Sequence, residues 1–442
     1  MTDVSADRYC VIGAGAAGLT AAKNLREHGF GVDVYELAEV VGGNWNIAHP
    51  YSRVYESTHT ISSPPFTQYP DFPMPDSWPD YPHHRQIGQY LERYARHFGL
   101  LEVTRFSTEV ERVEPVEGGR SWDVTVRSAG ADAGETLRYA GVVICNGHNW
   151  HPKLPAYPGE FAGETIHSAE YKSADVLRGK RVLVVGGGNT GCDIAVEAAQ
   201  TADAAFHSTR RGYWYAPKYN FGKPSDQISD VFFSLRLPTR LIQMAFETTL
   251  KLTTGDLTRH GLPKPDHRIL ETHPINNSQL VYYVGHGDIT PKRDIASLDG
   301  DSVRFVDGSA EQVDLIIWAT GYLMHFAFID AAHLNWHDGR PHLYLNAFPP
   351  DYDNLFVIGL LQPDSGLFAL MHWQAQVMAR FLCAQTDNPD AADRFRRLRD
   401  AHLGERRSGG VHYTDSTRHH LEIEPMDYMR GLTDLVHVLE PA

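Results

Sequence analysis

YCVIGAGAAG, residues 9–18, decides the fold. Its apolar start reads as a buried strand, its glycines as a tight turn, and the amphipathic run 19–28 that follows as a helix. A second strand over 31–36 completes a βαβ unit at the start of the sequence. Gly13, Gly15 and Gly18 fit G-x-G-x-x-G, with Ala17 inside the turn. The first glycine permits the bend, the second lets backbone approach a pyrophosphate, and the third lets helix meet strand. Glu36 stands at the end of the second strand, where a carboxylate accepts hydrogen bonds from ribose hydroxyls and repels a 2'-phosphate. This site is therefore expected to hold FAD. Gly43, Asn44 and Trp45 supply a second glycine bend followed by an aromatic ring, which reads equally as a structural turn or as a cofactor loop, and with Thr60 they are counted among the expected cofactor-binding residues.

RVLVVGGGNTG, residues 181–191, repeats the signal. Gly186, Gly188 and Gly191 again follow a strand and precede a helix, over 192–200, with Asn189 and Thr190 inside the motif. The next strand, 204–208, ends differently. In place of an acid stand His207, Ser208, Thr209, Arg210 and Arg211, whose guanidinium and hydroxyl donors suit a phosphate dianion. NADPH is the expected occupant, against the plainer reading of two solvated surface arginines. Thr320, Gly321 and Tyr322, in the ATGY run after a buried strand at 315–318, join the predicted cofactor residues.

These two units set the domain plan. The expected fold is α/β, with two Rossmann-type dinucleotide-binding domains and the NADPH domain inserted into the FAD domain. The expected boundaries are 1–170, 171–325 and 326–442. Residues 50–82, rich in proline and aromatic side chains, read as an ordered loop. Residues 222–277 read as a helical excursion broken at Pro238. Substrate specificity is expected in these two segments.

The 442 residues are 42% apolar, enough for a large core, and carry a formal charge of −15. Nucleic-acid and anionic-membrane binding need a basic face, and that charge argues against both. The four cysteines, Cys10, Cys145, Cys192 and Cys383, form no C-x-x-C pair. No segment approaches the roughly 18 to 20 apolar residues of a membrane span, and MTDVSADRY lacks an apolar signal core. A cytoplasmic protein is expected. The pairs His83–His84 and His419–His420 lack metal-binding spacing and read as surface or packing histidines, so no metal site is expected. The expected partners are a small-molecule substrate and O2, and a homodimer is the assembly considered.

Between the two glycine motifs, FAGETIHSAEY places Phe161, Gly163, His167 and Tyr171 in the pattern F-x-G-x-x-x-H-x-x-x-Y. This resembles the fingerprint of the flavin-containing monooxygenases. The related Baeyer-Villiger monooxygenases typically carry tryptophan where Tyr171 stands. The STRRG run from Ser208, the ATGY run from Ala319 and the DFP run at Asp71 match in order, so the resemblance covers nearly the whole chain. It implies FAD, NADPH and oxygen insertion into a soft nucleophile such as a thioether or amine, through a C4a-hydroperoxyflavin. Baeyer-Villiger oxidation of a ketone is the rival reading, and a non-catalytic flavin redox sensor a remote one. His167 is expected to organise the hinge between the domains, with a proton-donor role as the lesser reading. One departure stands out: Ile61 falls where relatives of the mammalian enzymes carry a flavin-side asparagine, and His59 is the nearest polar substitute, assigned a catalytic role.

Overall fold

The structure, a computed structural model, describes residues 2–3, 7–234, 237–416 and 419–440. Four strands of the first parallel sheet come early in the chain. They are β1 (Arg8–Ile12), which leads through a turn into helix α1 (Ala16–Glu27), then β2 (Gly31–Tyr35), β3 (Thr104–Arg105) and β4 (Gly141–Ile144). The second sheet follows. It holds β5 (Glu164–His167), β6 (Arg181–Val185) with helix α2 (Asn189–Thr201), β7 (Ala204–Ser208), β8 (Ile289–Lys292) and β9 (Leu315–Trp318). The chain then returns, and β10 (Leu355–Val357) pairs with β4 before helix α3 (Phe368–Asp387) packs against α1. The second sheet is thus inserted into the first.

Strand order is β10-β4-β1-β2-β3 in one sheet and β5-β9-β6-β7-β8 in the other. In both, the chain first builds to one side of the central strand and later to the other. The crevice at the carboxyl end of that strand is where open parallel sheets bind ligands. Because helices or a further sheet cover these sheets, strands β4 and β9 are apolar throughout instead of alternating. GVVI in β4 and LIIW in β9 are buried at every position. A meander of three longer strands, Thr108–Val116, Ser121–Ser128 and Glu135–Tyr139, packs Trp122, Val124 and Tyr139 into a core shared with the first sheet.

The expected boundary at 170/171 falls late, because β5 already pairs with β9 inside the second sheet. The strand Gly159–Phe161 likewise pairs with Ile295–Gly300. A stretch this short gives no local sign of which sheet it joins. The excursion carries helices Ser225–Ser234 and Thr239–Thr254, the second capped at its start by Pro238. Beyond β10 the chain is mainly helical, ending with Pro389–Ala401 and Pro425–Val438. Among the described residues no helix is long and apolar enough to cross a membrane.

Each turn before its helix depends on two glycines. Gly13 (φ +100°) and Gly186 (φ +132°) sit in the left-handed region. A Cβ on Gly18 would lie 1.7 Å from the Gly13 carbonyl oxygen, and one on Gly191 would lie 2.1 Å from that of Gly186. Gly18→Ala is therefore expected to push α1 off the sheet, at a cost of about 1–3 kcal/mol or more from overpacking. Thermal melting followed by circular dichroism checks this, and an unchanged melting midpoint would show that the helix can move freely.

Candidate functional site

Helices α1 and α2 start at Gly15 and Gly188, and neither glycine supplies a side-chain cap. Their first-turn N–H groups stay open at the positive end of the helix dipole. A Cβ on Gly15 would meet only Gly43 Cα at 3.6 Å, an ordinary contact. The protein's own packing therefore does not require glycine there. Gly43 (φ +50°) stands opposite Gly15.

Glu36, at the end of β2, is 3% exposed. Its carboxylate accepts from Ala14 N at 2.7 Å and Ala38 N at 2.8 Å, and His49 Nε2 lies 3.1 Å away. Glu36 thus braces the glycine turn while its remaining lone pairs stay available to hydroxyl donors. Sequence reasoning missed His49, which no motif marks. Asn44 Oδ1 accepts from Arg53 N, so its side chain serves the loop. Trp45 packs against the core beside α1. Thr60 is buried with its hydroxyl unpartnered, and so is the Asn146 amide nitrogen, just beyond β4.

His59 is exposed: its Nδ1 lies 2.7 Å from the Ser57 carbonyl, and its ring meets His83 edge-on at 4.8 Å. His83 caps the helix His84–His97, and His84 is buried behind it. Ile61 is half-buried.

At the second turn the predicted residues separate into two groups. Ser208 is buried and donates its hydroxyl to the Arg293 carbonyl at 2.7 Å. His207 Nε2 bonds the Gly186 carbonyl at 2.9 Å, and Thr209 is buried with its N–H on the Lys292 carbonyl. Asn189 is spent at both ends of its amide, on Pro274 O and Asn276 N. Thr190 is half-buried in the first turn of α2. Arg210 is exposed and makes no ion pair among the described residues, while Arg211 lies 3.7 Å from Asp266. The Ser208 hydroxyl expected here as a donor is thus already committed, and among the described residues Arg210 is the arginine of the pair without an ion-pair partner.

Two linkers join the sheets side by side. Tyr322–Leu323 pairs antiparallel with His151–Pro152, and Thr320 Oγ1 donates to the Lys153 carbonyl. Gly321 (φ +85°) has nothing within 4 Å of where a Cβ would stand. Arg53 crosses this junction, donating to the Asn149 and Trp150 carbonyls and lying over the Tyr322 ring. His167 sits beneath it, 2% exposed, with its ring 5.3 Å from Tyr322. Its Nδ1 accepts from Ala169 N, which leaves the hydrogen on Nε2, and the Gly321 backbone stands close enough to favour the charged ring, against its burial. Burial, helped by Arg53, lowers its pKa to about 4, so the ring is neutral near pH 7. Tyr171 is fully buried and bonds Glu197 on α2, and Tyr55 donates to Asp193 one helical turn away at 3.0 Å.

The proline-rich loop is held from the second domain. Ser63 gives its N–H (2.6 Å) and hydroxyl (2.9 Å) to Asp226 of the excursion, and Tyr81 donates to the Lys218 carbonyl. Open helix N-termini and unpartnered buried donors on Thr60 and Asn146 together make a donor set that fits a dinucleotide.

The sequence matches the family described as flavin-binding monooxygenase-like over residues 6–440. It is 31% identical to human (Homo sapiens) flavin-containing monooxygenase 5, across 98% of this chain and 83% of that protein. It is 33% identical to mouse (Mus musculus) dimethylaniline monooxygenase [N-oxide-forming] 2, across 85% of this chain and 73% of that protein. The solved complex of OTEMO with FAD and NADP superposes with a TM-score of 0.66 at 20% identity, over 88% of this chain and 86% of its own. At that identity the likeness speaks for the fold alone. With two glycine-turn crevices, a fingerprint between them and this match along almost the whole sequence, the chain belongs to the flavin-binding monooxygenase-like family and is an oxidoreductase.

Proposed function

We propose that this chain is an FAD- and NADPH-dependent monooxygenase that passes one oxygen atom of O2 to a thioether or amine. The carrying observation is the contrast between two otherwise matching crevices: buried Glu36 beside one and the exposed Arg210 beside the other. A carboxylate suits ribose hydroxyls, and a guanidinium suits the 2'-phosphate of NADPH.

The amides at Gly15, Ala17 and Gly18 receive the FAD pyrophosphate, and Glu36 the ribose. Those at Gly188, Thr190 and Gly191 receive that of NADPH, with Arg210 on its phosphate. When bound, the flavin supplies hydride acceptance and activation of O2. Bound NADPH would supply a hydride and solvent a proton, which together account for one oxygen atom entering the substrate and the other leaving as water. Thr60 and Asn146 offer hydrogen-bonding groups at the carboxyl end of the first sheet. His59, turned outward, takes no part. His167, neutral, holds the linker junction and neither gives nor takes a proton near pH 7. The loop at 50–82 and the excursion, clamped at Ser63 and Asp226, wall off water and shape the substrate space.

The decisive measurement supplies FAD-loaded enzyme with NADPH, 18O2 and either methyl p-tolyl sulfide or cyclohexanone. Labelled sulfoxide matching NADPH consumption is expected. NADPH oxidation giving only H2O2 would sink the monooxygenase reading, and faster lactone formation from the ketone would move it to Baeyer-Villiger oxidation.

Gly15→Ala is expected to fold, since its Cβ meets only an ordinary contact, yet to lose most of its FAD because the methyl stands where the pyrophosphate belongs. The ratio of flavin to protein absorbance reads this directly. A folded variant that keeps its full complement of FAD would place the cofactor elsewhere.

Arg210→Ala is expected to raise KM for NADPH about ten- to a hundred-fold, the equivalent of roughly 1.5–3 kcal/mol for a lost charge-assisted contact, with NADH little affected. Arg211→Ala, already drawn toward Asp266, is expected to cost less. Equal effects of the two on NADPH and NADH would remove the phosphate role.

A further inference from the structure

Three side chains from distant parts of the sequence converge. His273 precedes Pro274, the residue whose carbonyl holds Asn189 at the start of α2. Asp364 lies between β10 and α3, beside the paired strands Gln362–Pro363 and Glu422–Ile423, and Glu422 belongs to the second of these. His273 Nδ1 is 3.3 Å and 3.4 Å from the two oxygens of Glu422 and 3.7 Å from Asp364 Oδ1. One ligand atom from each residue falls within 4.8 Å of the other two.

The site is closed to bulk water: the side chains of Glu422, His273 and Asp364 are 0%, 12% and 16% exposed. Even so, Glu422 Oε1 and Asp364 Oδ1 lack any hydrogen-bond partner. Arg406 is near enough to feel Glu422, and Tyr413 to feel both acids, but among the described residues neither acid is ion-paired with a lysine or arginine. Two buried carboxylates facing each other need a positive charge between them, either a proton, carried by one of the acids or by His273 itself, or a bound cation.

The geometry favours a metal ion. Ligands about 2.1 Å from a tetrahedral centre stand roughly 3.4 Å apart, close to the 3.3 Å and 3.7 Å from His273 to its two acids, and the widest pair, within 4.8 Å, must draw together around the ion. One imidazole and two carboxylates form a donor set that suits Zn2+. We propose that His273, Asp364 and Glu422 form a zinc site that ties the excursion of the inserted domain to the segment returning to the first sheet. This assignment is independent of the monooxygenase reading, and neither depends on the other. Wide separation along the sequence hides the site from any search by spacing, which is why the expectation of no metal arose.

Calorimetric titration of EDTA-treated full-length protein with Zn2+ alone tests it, with thermal melting alongside. Wild type is expected to bind one tight equivalent and to melt at a higher temperature with zinc. Glu422→Gln and His273→Ala are each expected to weaken that equivalent at least tenfold and to lose the zinc-dependent rise in melting. His273→Ala serves where Glu422→Gln fails to fold. Absence of a tight equivalent in wild type, or unchanged affinity in the folded variants, overturns the site and leaves a proton there, on one of the acids or on His273.

Discussion

Everything in this molecule that bears on function rests on two helix N-termini that no side chain caps. An uncapped first turn is unstable by itself, because its amides have lost water without gaining a partner. The chain accepts this twice, at Gly15 and Gly188, and holds each helix in place by backbone contact that only glycine allows. Gly18 against the Gly13 carbonyl and Gly191 against that of Gly186 bring helix and turn together. The open amides then face the crevice where each sheet changes direction.

What distinguishes the two crevices is charge at the end of the following strand. Glu36 is drawn inward by the amides of its own turn, whereas Arg210 is exposed and, among the described residues, has no ion-pair partner. The difference follows from the neighbours each strand end meets. Asp266 competes for Arg211, and carbonyls at 292 and 293 occupy the Thr209 amide and the Ser208 hydroxyl, so the arginine left over carries the positive charge.

The domains are joined by more than their linkers. Asp193 and Glu197, one turn apart on α2, accept hydroxyls from Tyr55, Ser57 and Tyr171, and Asp226 accepts from Ser63. Acids on the inserted domain thereby grip the loop that follows the first glycine turn. Movement of one domain against the other must break or carry these bonds, which places the loop under the control of both nucleotide crevices. The fingerprint residues belong to this coupling: Tyr171 reaches α2, and His167 lies under the linker pair beside Tyr322.

The sequence by itself determined the two βαβ units, their glycine turns, the acid and the arginines that follow them, and the insertion of one unit into the other. The units, their turns and the charges that follow them are local patterns, written in neighbouring residues whose backbone needs are strict, and the insertion follows from the order of these units along the chain. Only the tertiary structure decided which predicted side chains remained free. Ser208 and Asn189 were legible as polar residues in the right motif, yet partners far along the chain had claimed them. His59 faced outward and Thr60 inward, a choice set by pairing with residues 82–84. His49 beneath Glu36, the linker pairing at Pro152 and Tyr322, and the meeting of His273 with Asp364 and Glu422 all join residues distant in sequence. Such contacts leave no periodic or spacing signal, because their geometry is settled by how whole elements pack and not by the residues beside them.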